Sequence, residues 1–81
     1  MNGQKKRILK YIKEHGSITQ KEAVYLGCWR LGARIYDLKA EPYNIPIITT
    51  LETVQSTDGS TARIARYMFQ KGYKLPEKYY K

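Results

Sequence analysis

The sequence predicts a small α+β domain in which three helices are followed by a two-stranded β-hairpin. Three observations carry that expectation. Apolar residues recur at helical spacing from Gln4 to Lys39, and the composition turns to Ile, Thr and Val after Asn44. The pair Asp58-Gly59 then divides this β-rich stretch at a hairpin turn. With 81 residues the chain has room for one small core and none for a cofactor domain beside a substrate domain.

The first helix is read from Gln4 to His15. On a wheel of about 100° per residue, Ile8, Ile12 and His15 fall together, flanked by Leu9 and Tyr11, while most of the lysines lie outside that stripe. Gly16 stands where helices end in a left-handed residue. Ser17-Ile18-Thr19 is a short link with Ile18 directed into the core, and Thr19-Gln20-Lys21-Glu22 fits a capping box. The second helix is brief, with Ala23 and Leu26 on its apolar face and Gly27 as its stop. The third runs from Cys28 or Trp29 to Lys39 or Ala40, because Leu31, Ile35 and Leu38 repeat at the spacing of a buried stripe. Pro42 draws Glu41 towards extended backbone and ends it. Strands are expected over Ile45–Val54 and Thr61–Phe69. Two short helices around a Gly-containing turn are the trace of a helix-turn-helix, and a hairpin behind the second would form a wing. The expected domain is 1–69, and the Lys- and Tyr-rich tail 70–81 is left without an element.

Fifteen Lys and Arg against seven Asp and Glu give a formal charge of +8. That balance points to an acidic polymer as partner, nucleic acid first. Catalysis finds little support. His15 reads as a half-buried structural residue and Cys28 as a small turn or core residue. There is no carboxylate pair at useful spacing, no phosphate-binding glycine loop and no metal-ligand spacing. The expectation is a protein that is not an enzyme and needs neither cofactor nor metal. No apolar stretch is long enough to span a bilayer, and Met1–Arg7 lacks the apolar run of a secretory signal. One cysteine excludes an internal disulfide framework, so a reducing cytoplasmic home is expected.

The third helix carries the recognition chemistry. Opposite its core stripe lie Tyr36, Trp29, Ala33, Asp37 and Arg30, with Arg34 at the border. A face of Trp, Tyr and Arg opened by a small Ala suits the DNA major groove, where arginine bonds guanine bidentately and Ala or an aromatic edge touches a thymine methyl. Trp29, Arg30, Ala33, Arg34 and Tyr36 are therefore the candidates for reading bases, with Trp29 folded back as a core anchor the other option. Asp37 pairs with a nearby Arg or accepts from cytosine. Phosphate contacts are expected from Thr19, Gln20 and Lys21 at the start of the second helix, from Lys39, and from Ser60, Thr61, Arg63 and Arg66 on the hairpin. Arg63 and Arg66 are an odd number of residues apart and must face opposite sides of a regular strand.

Ile8-Leu9-Lys10-Tyr11-Ile12-Lys13-Glu14-His15-Gly16-Ser17-Ile18-Thr19, then Glu22-Ala23, then Arg30-Leu31-Gly32-Ala33-Arg34-Ile35-Tyr36-Asp37-Leu38-Lys39, resembles the small winged helix-turn-helix domains of bacteriophage and mobile-element proteins. The likeness covers residues 4 to 69. It implies a DNA-binding role, a recognition helix at about Trp29 to Lys39 and a wing near Ser56 to Thr61. The expected function is sequence-specific binding of double-stranded DNA, as a transcriptional regulator or recombination accessory factor, with a second copy of the chain as a further partner. The alternative is an inhibitor of this fold that docks on a host protein through Trp29, Tyr36 and the tail tyrosines Tyr73, Tyr79 and Tyr80. A third reading is single-stranded nucleic acid held by aromatic stacking.

Overall fold

Helix α1 spans Gly3–His15 and buries Ile8, Leu9 and Ile12, the stripe its periodicity requires. These residues anchor a core completed by Ile18, Ala23, Cys28, Leu31, Ile35, Leu38, Ile45, Ile47 and Leu75. In the computed structural model, which describes residues 3–81, α1 is followed by β1 (Ile18–Thr19), α2 (Gln20–Tyr25), α3 (Leu31–Lys39), β2 (Ile47–Gln55), β3 (Thr61–Phe69) and a single 3-10 turn at Glu77–Tyr79. Residues 1 and 2, where the expected domain begins, lie outside the described residues.

His15 departs from the sequence reading. It is exposed, its ring stacked on Tyr11 with centroids 4.0 Å apart and its Nδ1 3.1 Å from the Tyr11 carbonyl oxygen. As the last residue of α1 it stands where Gly16, at φ +93°, turns the chain away, so the ring lies along its own helix and outside the core.

The sheet has three strands in the order β1-β3-β2, all antiparallel. The hairpin is the expected pair, joined through Ser56–Ser60 with Gly59 at φ +88°. The two-residue β1 adds a third member by pairing Ile18 with Tyr67 and Thr19 with Arg66. It ties the helix-turn-helix to the base of the hairpin. Beyond it β2 and β3 run on alone, and the molecule measures 44 × 26 × 22 Å.

The tail is packed. Leu75 is only 7% exposed, and Tyr73, Tyr79 and Tyr80 lie against the core. Tyr73 meets Phe69 edge to face at 5.4 Å, Tyr79 meets Tyr43 at 6.2 Å, and Lys13 sits 4.7 Å from the Tyr80 ring centroid. Lys6 donates to the Lys81 carbonyl at 2.6 Å. The tail tyrosines are thus half-buried braces of the fold, which removes them as free anchors for a host protein.

Candidate nucleic-acid interface

The turn between α2 and α3 is built by side chains from outside it. The Leu26, Gly27 and Cys28 carbonyls accept from Arg7 Nη1 (3.2 Å), Gln4 Nε2 (2.8 Å) and Gln20 Nε2 (2.9 Å) respectively. Gln20 also accepts the Leu31 N–H at 2.9 Å, satisfying one of the orphan donors of α3. That bond explains where the third helix starts. It opens at Leu31, so Trp29 and Arg30 belong to the turn before it, three residues later than the earliest expected start. Periodicity ran through Cys28 because that residue is buried like a helical core position.

Leu31, Ile35 and Leu38 are buried, and the opposite side of α3 is open. Trp29 is 76% exposed and Tyr36 75%, which decides against Trp29 as a core anchor. Arg30, Gly32, Ala33 and Lys39 are exposed with them. A Cβ on Gly32 would lie 3.5 Å from Tyr67 Oη, an ordinary contact, so packing does not demand glycine there. Tyr25 of α2, 84% exposed, adds an aromatic that the sequence reading did not single out. Its position off the Ala23–Leu26 stripe was the available signal.

Arg34 is in a different situation from Arg30. Its guanidinium reaches Asp37 at 3.3 Å, and its Nε is buried without a hydrogen-bond partner. Asp37 also lies 4.0 Å from Lys5. Arg34 is therefore half-buried along the flank of α3 and committed to Asp37 as an i,i+3 partner, a correction to its placing among the base readers.

Three phosphate candidates are likewise committed within the fold. Thr19 is buried, and both its backbone N–H (2.8 Å) and its hydroxyl (2.9 Å) donate to Glu22 Oε1. Gln20 is spent on the turn. Arg66 is bonded to Glu52 and to Ser17 Oγ (2.9 Å). The N-terminal end of α2 already holds the Glu22 carboxylate, so an incoming phosphate would meet a like charge. Burial pushes the Glu22 carboxyl up, but the Thr19 N–H and hydroxyl, the Tyr11 hydroxyl at 3.0 Å and the Arg66 charge together hold it below the usual carboxylate range. Because the folded-state value is the lower one, Glu22 contributes stability above the unfolded carboxylate range, near pH 4.3, and the contribution is lost as pH falls through the folded value. Glu22→Gln should flatten the acid limb of a stability-against-pH curve. An unchanged limb would show that Glu22 does not contribute to it.

The wing is less cationic than expected. At its tip the Asp58 carboxylate accepts from the Ser56 and Ser60 hydroxyls and from the Ser60 N–H, which together hold it well below the usual range. Ser60 is thereby occupied beside a negative charge, with Thr61 exposed next to it. Arg63 and Arg66 do face opposite sides. Arg63 shares the side of Ala65 and Tyr67, which with Lys21, Leu31 and Gly32 help line a groove of about 790 Å³ between the helix pair and β3. The cations left exposed around α3 are Arg30, Lys39, Lys21 and Arg63.

A helix-turn-helix whose second helix is bared on one side, backed by a β-hairpin, defines a class of domain for which DNA is the suggested partner. Residues 3–72 match the family model described as a winged helix-turn-helix domain, and the chain belongs to that family. Comparison with curated proteins and with solved structures returned no match.

Proposed function

We propose that the protein binds double-stranded DNA in a sequence-dependent way and serves as a small transcriptional regulator or recombination accessory factor of a phage or mobile element, in the cytoplasm and without catalysis or a cofactor. The observation that carries this reading is the open surface formed by the braced turn, with Trp29 and Arg30, and by the bared side of α3, with Ala33 and Tyr36. With its side chains an α-helix is about 10–12 Å across, which a major groove about 12 Å wide admits. In this reading Arg30 enters with the N-terminal end of the helix and bonds a guanine edge, while Trp29, Ala33 and Tyr36 make apolar contact. Lys21, Lys39 and Arg63 hold the flanking phosphates.

Selection of bound duplexes from a random pool, followed by footprinting of the enriched sequence, tests the proposal. One enriched motif protected in a single major groove is the expected result. A pool that stays random after repeated rounds would overturn sequence-dependent recognition. Preference for single strands would move the reading to aromatic stacking.

A further inference from the structure

The free edge of β2 is a self-complementary docking strand, and we infer that it pairs two copies of this chain across a two-fold axis. The backbone sets which groups are available. Gln70 N–H donates to the Pro46 carbonyl at 2.9 Å and Ser56 N–H to the Ser60 carbonyl at 2.8 Å, bracketing the unbroken register from Ile47↔Phe69 to Gln55↔Thr61. Bonded pairs alternate along an antiparallel ladder, so even-numbered residues of β2 bond to β3. The N–H and C=O groups of Ile47, Thr49, Leu51, Thr53 and Gln55 point to the other side. Since β2 is the last strand of the sheet, no element among the described residues occupies them. An edge of this length without proline or lysine is a ready template for another strand.

Charge selects the occupant. Residues 40–62 contain no Lys or Arg and three carboxylates, Glu41, Glu52 and Asp58. The rest of the chain holds all fifteen cations against four carboxylates. Two copies repel one another through nearly every surface except this one. Antiparallel pairing also carries the wing tip of each copy, with Asp58, back alongside the other copy's β2 towards its cationic body.

Register follows from the residues. Leu51 is the midpoint of β2 and is 65% exposed. Centring the axis on it pairs Leu51 with Leu51, Thr49 with Thr53, and Ile47 with Gln55, which satisfies all five outward-facing residues. On the other face Ile48 meets Val54 and Thr50 meets Glu52. Centring on Glu52 would set two carboxylates directly opposite, a destabilising arrangement, and centring on Thr50 would leave Gln55 unpaired. The Leu51 register is the one that avoids both, and each Glu52 in it keeps its bond to Arg66. The contact is isologous and closes as a dimer. One strand edge buries less than the ~1,200 Å² of a stable interface, so association is expected to be weak and concentration-dependent.

Sedimentation velocity of the full chain without DNA, across a wide concentration series, tests this separately from the DNA reading. The expected result is a monomer that becomes a dimer as concentration rises. Leu51→Lys sets two ammonium groups across the axis at an exposed position and should leave only monomer. Thr53→Pro removes an outward N–H that the hairpin does not use and should do the same, with circular dichroism confirming the fold of each variant. A wild-type chain that stays monomeric throughout, or a dimer that survives both substitutions, overturns the proposal.

Discussion

Leu75→Ala is expected to lower the stability of the whole domain and not merely to loosen its last residues. Leu75 is 7% exposed and joins the same core as Ile8, Leu31 and Ile47. Truncating a buried leucine costs about 2–5 kcal/mol, because transfer energy is lost and a cavity remains. The lower half of that range applies, since Leu75 is the most exposed member of the core. For a domain of 60–100 residues each kcal/mol shifts Tm by roughly 4–8 °C, so a fall of about 10–20 °C is expected. Against a total stability of about 5–15 kcal/mol this is a large fraction. Thermal unfolding followed by circular dichroism checks it. A Tm within a degree or two of the wild type would mean that Gln70–Lys81 is an ornament on a domain complete at Phe69.

That packing was not legible in the sequence, and the reason is physical. Helices α1 and α3 announce themselves because burial repeats with the period of the backbone. The hairpin is announced by Asp58-Gly59, a local preference of the turn. Leu75 is a single apolar residue among Lys and Tyr, with no period to reveal it. Its partners, Ile12 and the strand-end Phe69 among them, line the same pocket only through the fold. Strand β1 was invisible for a similar reason, since its two residues are ordered by pairing with Tyr67 and Arg66 far along the chain.

At the candidate interface the sequence pointed to the helix whose one side is bared, but not to the employment of its neighbours. Residue type cannot distinguish an arginine that is free from one that is paired. Arg30 and Arg34 are neighbours on a helical wheel, yet Asp37 engages one of them and not the other. Thr19 and Gln20 sat where a phosphate would be welcome, and the fold spends both on closing α2 and bracing the turn. The capping box was legible, and its consequence for Thr19 as a ligand follows from it.

The distinction between the two arginines sets the sharpest expectation for DNA. Arg30→Ala should cost about 1–3 kcal/mol on the selected site, the value of one bidentate guanine contact, and little on random duplex. Lys21→Ala should weaken both alike and reduce the slope of log affinity against log salt by about one, because a phosphate contact carries no sequence information. Arg34→Ala should act chiefly by releasing Asp37, leaving a carboxylate beside the groove face, so its loss should be partly recovered in Arg34→Ala/Asp37→Ala. Fluorescence anisotropy with specific and scrambled duplexes over a salt series reads all of these together. Equal losses on both duplexes for Arg30→Ala would remove it as a base reader and return the role to Trp29 and Tyr36. Affinity that does not change with salt would sink the phosphate contacts altogether, since a chain of this charge cannot neutralise a duplex without releasing its counterions.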